Sequence, residues 1–77
     1  MRIIELPSRQ HRCWNDHRWR RKKLDECVAI HTLSHEEISK LTGANPVSVK
    51  VWLGNHKSWI GRNTLRLLIL ELNNRAA

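Results

Sequence analysis

Apolar residues recur at helical rather than strand spacing along most of the chain, and the breaks between runs fall at residues that cap or stop helices. Leu24, Cys27 and Val28 stand at i, i+3, i+4 behind Asn15 or Asp16, either of which can accept hydrogen bonds at a helix N-terminus. The spacing predicts a first helix over residues 16–30, with Thr32 and Leu33 as a short connection. Ser34 and Glu37 then have the separation of a capping box, and Leu33 and Ile38 that of the hydrophobic staple around it. A second helix over 34–42 follows, with Ile38 and Leu41 inward, and Gly43 can take the positive φ that ends it.

Ala44 alone separates Gly43 from Asn45, a good cap, and Pro46 occupies a first helical position, where its missing N–H costs nothing. The third helix therefore spans 46–54. At about 100° per residue, Val49, Trp52 and Leu53 fall on one side and Val47, Lys50, Val51 and Gly54 on the other. Residues 55–61 are rich in turn formers, after which Asn63 can cap a fourth helix over 63–74. Leu65, Leu68, Ile69 and Leu72 form its main stripe; Leu67 and Leu70 lie opposite, surplus to one small core. Residues 1–8 read as an extended tail, since Ile3, Ile4 and Leu6 favour a short strand or a strip packed on the body and Pro7 blocks an early helix. The expectation is an all-α, four-helix domain over 9–77 behind that tail, its second and third helices forming a helix-turn-helix.

Composition limits what such a chain can do. Its 77 residues allow one modest core, since a chain of this length buries only about 60% of its unfolded surface. Phe and Tyr are absent and there are four Trp, of which Trp52 is the expected keystone beside Val49, Leu53, Ile38, Leu41, Leu24 and Leu68. Fourteen Lys and Arg against seven Asp and Glu give a net charge of +7, which favours a polyanionic partner, nucleic acid before acidic lipid. Much of that charge lies in residues 9–23.

No apolar run approaches the roughly 18 residues of a membrane span, and the N-terminal apolar stretch is too short for a signal peptide. The expected setting is the cytoplasm of a bacterial or infected host cell. Cys13 and Cys27 have no CxxC spacing, and His11, Cys13, His17 and the Cys27–His31 pair lack the paired-ligand spacing of structural zinc, so no metal or other cofactor is expected. The sequence has no phosphate loop and no recognisable catalytic set. A chain this small also leaves little room for a cleft, so neither an enzyme nor a small-molecule ligand is expected.

The segment EEISKLTGANPVSVKVWLGN resembles the phage repressor and Cro family of helix-turn-helix regulators. Ser39 stands four before Gly43, the β-branched Val49 six after it and Trp52 nine after it, with Gly54 close behind. The likeness covers residues 24–72; the Arg-rich segment before the first helix is not a feature of that family. It implies a lambda-repressor-like fold and a transcriptional regulator, a repressor from a phage or mobile element, binding an inverted-repeat operator as a homodimer.

Carried onto matching positions, the likeness gives base reading to Asn45, Pro46, Val47, Ser48, Lys50 and Val51. Lys50 can donate to guanine, Ser48 can bond several bases, and Val47 or Val51 can pack on a thymine methyl. Phosphate contacts fall to the first turns of the second and third helices and to Asn55, His56, Lys57 and Arg62, with Arg18, Arg20 and Arg21 adding to them. The dimer seam is expected at Leu67 and Leu70, joined by Trp59 and Ile60. Rival expectations are an architectural or recombination-directionality factor, an arginine-rich RNA-binding helix over 9–23, and an antitoxin-like adaptor whose fourth helix captures a protein.

Overall fold

A computed structural model describes residues 3–54 and 58–76. Among these the chain is all-helical: a 3-10 turn at Arg12–Asn15, then α1 (His17–His31), α2 (His35–Thr42), α3 (Pro46–Leu53) and α4 (Arg62–Ala76). The four expected helices are present within one or two residues of their expected ends. The 3-10 turn has no periodicity to betray it, and α4 starts at Arg62 rather than behind a cap at Asn63.

Local chemistry explains each boundary. Asp16 accepts from the Arg18 N–H at 2.9 Å and starts α1, and Thr32 ends it in the left-handed region at φ 51°. Ser34 and Glu37 close the capping box of α2, each side chain accepting from the other residue's backbone N–H at 3.1–3.2 Å. Gly43 ends α2 at φ 72°, its N–H donating to the Ser39 carbonyl at 2.8 Å. Asn45 accepts from the Val47 N–H at 2.8 Å to open α3, with Pro46 in the first turn.

One core joins these pieces. Leu24 and Cys27 of α1, Ile38 of α2, Val49 of α3, and Leu65, Leu68, Ile69 and Leu72 of α4 are all buried. Each large aliphatic side chain so placed contributes about 1.5–3 kcal/mol relative to exposure. Trp14, 1% exposed, is the aromatic at the centre, whereas Trp52 only packs on the margin of the core. The keystone role expected of Trp52 therefore passes to Trp14. Its indole N–H donates to the Ser8 carbonyl at 2.9 Å, and its ring meets that of Trp19 edge-on at 4.9 Å.

Residues 3–8 are non-helical and pack on the body. Ile4 is buried, and it exchanges two hydrogen bonds with Asn73 near the end of α4. Among the described residues no helix is long and apolar enough to cross a membrane.

Candidate nucleic-acid interface

The α2–α3 corner is held by side chains that satisfy the turn's own backbone. Thr42 Oγ1 donates to the Ile38 carbonyl at 2.7 Å and accepts from the Ala44 N–H at 3.2 Å. Ser39 Oγ donates to the Ala44 carbonyl at 2.5 Å. The small residue noted at position 39 therefore acts as a hydrogen-bonding brace across the turn, which leaves the direction of α3 little freedom.

That brace sets which face of α3 looks outward. Val49 is fully buried, while Val47 is 68% exposed and Asn45, Pro46 and Lys50 are exposed beside it. Ser48 and Val51 are half-buried at the edges of the face. All six expected base-reading residues thus lie on or beside one surface, with no acid in the first turn of α3. The first turn of α2 differs, because Glu36 and Glu37 stand there and the Glu37 N–H is taken by Ser34. A phosphate at its remaining free donors would stand alongside two carboxylates, unlike one at α3.

The arginines divide sharply. Arg18 is exposed on α1. Arg62 is exposed at the start of α4, its guanidinium donating to Asn15 Oδ1 and to the Arg9 carbonyl, both at 3.0 Å. Arg20 turns inward: Nε donates to the Ile60 carbonyl at 2.7 Å and Nη1 to the Trp14 carbonyl at 2.8 Å. Arg21 also turns inward. Nη1 donates to the carbonyls of Trp52 (2.8 Å) and Gly54 (2.7 Å), Nη2 to that of Leu53 (2.7 Å), and Nε to Asp25 (3.0 Å). The phosphate role expected of Arg20 and Arg21 is corrected, because both side chains are half-buried with their guanidinium groups turned onto main-chain carbonyls, whereas that of Arg62 is exposed.

Asn55, His56 and Lys57, expected at the DNA backbone, lie outside the described residues. Of the expected dimer residues, Leu67 and Leu70 are 42% and 40% exposed on one side of α4. Trp59 is also exposed, but its ring lies 4.5 Å from that of His17 at the start of α1. Ile60 is 2% exposed and belongs to the core, so it has no surface to offer a second copy.

The space between the tail and α1 also corrects an expectation. A wide-mouthed groove of about 490 Å³ runs there, lined by Glu5, Leu6, Pro7, His11, Cys13, Trp19 and Lys23. Small size therefore does not exclude a cleft. Its cation is occupied locally, Lys23 pairing with Glu26 at 3.1 Å and lying 5.8 Å from the centre of the Trp19 ring. Among the described residues no three His, Cys, Asp or Glu side chains are grouped closely enough to hold a metal ion. Cys27 is a packing residue whose burial pushes its thiol pKa from 9.0 up to about 12, with a smaller push from Glu26.

No protein-family model, characterised protein or solved structure matches the chain.

Proposed function

We propose that the chain is a sequence-specific, duplex-DNA-binding transcriptional regulator, with α3 entering the major groove. The observation that carries this reading is the two-sided character of α3. Val49 anchors one side in the core while Val47 and Lys50 project from the other, on a corner too well braced to swing. An exposed apolar side chain beside a lone cation suits base edges, which offer thymine methyls and guanine acceptors in the major groove.

Asn45, Pro46, Ser48 and Val51 complete the reading surface, and Arg18 and Arg62 supply phosphate contacts that set register without reading sequence. The net charge of +7 draws the protein to DNA of any sequence and makes the binding salt-dependent. On this reading the protein is a binding module rather than an enzyme. It acts in the cytoplasm of a bacterium or infected host cell as a homodimeric repressor of an inverted-repeat operator, in keeping with its resemblance to phage regulators.

Selection of bound duplexes from a random pool tests it. The expected product is an inverted repeat with half-sites about 34 Å apart. Lys50→Ala should weaken binding to that site by about 1–3 kcal/mol and relax the preference at one base pair per half-site. A pool that never narrows, or a Lys50→Ala protein that binds the selected site like the native one, overturns the proposal.

A further inference from the structure

We infer that Arg21 is a positioning residue for the reading helix: it fixes the C-terminal half of α3, and with it the base pairs read by Lys50 and Val51. The inference deepens the proposed function and rests on it for its DNA consequence.

Helix α3 has only eight residues, and an isolated helix of that length is not stable in water. Its two ends are held by different means. The N-terminal end is fixed through Asn45, Pro46 and the Ser39 and Thr42 hydroxyls of the turn. Among the described residues the C-terminal end has no comparable cap of its own. Gly54 is extended at φ −91°, and its N–H reaches only the Val51 carbonyl, at 3.2 Å. The carbonyls of Trp52, Leu53 and Gly54 are all taken up by Arg21 instead, from α1.

Three charge-assisted bonds of 2.7–2.8 Å from one planar group make a stiff link, and the cation sits where the helix dipole favours it. Asp25, one turn further along α1, accepts from Nε at 3.0 Å and holds the guanidinium in plane for the task. Lysine also has three donors, but on one nitrogen, so it lacks the flat fork of separated N–H groups that meets these carbonyls from a fixed plane.

The consequence is graded along α3. With Arg21 gone, Asn45, Pro46 and Val47 keep their local restraints, while the turn bearing Lys50 and Val51 loses its only outside tether of this kind among the described residues. A phosphate-binding arginine would behave differently. Its loss would weaken binding to all sequences alike and lower the dependence of log K on log salt by about 0.9.

The test compares the native chain with Arg21→Lys and Arg21→Met by amide exchange and by quantitative selection of bound duplexes. Both variants should exchange faster in the last turn of α3, Arg21→Met by about tenfold or more and Arg21→Lys by less. Their base preferences should fall at the pairs read by Lys50 and Val51 and persist at those read by Val47, with the salt slope for non-specific duplex unchanged. Unaltered exchange at the end of α3 overturns the tether itself. Faster exchange with an even loss of preference at all positions, or a lowered salt slope, overturns the positioning role. If the native chain selects no duplex, the DNA reading and its positioning consequence both fail, while the exchange data still decide the tether.

Discussion

Ile4 and Asn73 stand 69 positions apart and are joined by two hydrogen bonds. The Ile4 N–H donates to Asn73 Oδ1 at 2.9 Å, and Asn73 Nδ2 donates back to the Ile4 carbonyl at 2.8 Å. A side-chain amide thus does for the tail what a neighbouring strand would do, satisfying both backbone groups of a residue whose side chain is buried.

Asn73→Ala leaves both Ile4 backbone groups without these partners and frees the strip that carries Ile4 into the core. The expected loss is about 2 kcal/mol or more in urea unfolding, since each unpaired buried group costs about 1–3 kcal/mol. Asn73→Asp should lose nearly as much, because a carboxylate can accept from the Ile4 N–H but faces the Ile4 carbonyl with no proton to give. A change under about 0.5 kcal/mol in both variants would mean that the tail adds nothing to stability.

Gly43 tests the corner differently. A Cβ built there meets no atom within 4 Å, so any cost of substitution comes from the backbone at φ +72° and not from crowding. Gly43→Ala should destabilise by about 1–2 kcal/mol, and Gly43→Asn by less, since asparagine tolerates the left-handed region better. Equal stability of the alanine and glycine proteins by thermal melting would contradict that conformation.

These two sites also show what a sequence can and cannot reveal. Ser34 with Glu37, Gly43, Asn45 and Pro46 announced the α2–α3 corner because caps and turn residues act within a few positions of themselves. The partners of Arg20 and Arg21 lie 31 to 40 positions away, apart from Trp14 and Asp25, so in the sequence both arginines counted only as charge. The i, i+4 pair of Arg21 with Asp25 was the one local hint that this arginine was engaged. Trp14 sits in a 3-10 turn too short to show a period, and Ile60 stands with Trp59 as one of two apolar residues in a run of turn formers. Nothing local ranked Trp14 above Trp52 or turned Ile60 inward.

Cys27 ties stability to alkaline pH. Its folded pKa of about 12 lies above its ordinary value of 9.0 because burial disfavours the thiolate. Above pH 9 the unfolded chain therefore gives up this proton while the native chain keeps it. The contribution is full below about pH 9 and is lost as pH rises toward 12, at up to about 1.4 kcal/mol per pH unit. The chain has no tyrosine to add its own titration in that range. Cys27→Ala should be less stable at neutral pH through the cavity it leaves, yet show a shallower decline between pH 9 and 11. Parallel declines in the two proteins would remove Cys27 as the cause.

The outer side of α4 carries the last prediction. Leu67 and Leu70 are about two-fifths exposed at i, i+3, and Asn63, Glu71 and Asn74 surround them on that side. Two leucines are far short of the roughly 1,200 Å² that a stable interface buries, so a dimer formed through them alone is weak in free solution. On the proposed operator the arithmetic changes, because two copies on adjacent half-sites would be held at high effective concentration. Sedimentation should therefore show the 9.1 kDa monomer exchanging with a dimer at high concentration, and two copies on a palindromic duplex with cooperative binding. Leu70→Glu should abolish the cooperativity and leave the affinity for a single half-site and the melting temperature nearly unchanged, since the side chain is outside the core. If Leu70→Glu binds the full palindrome as cooperatively as the native chain, α4 is not the seam.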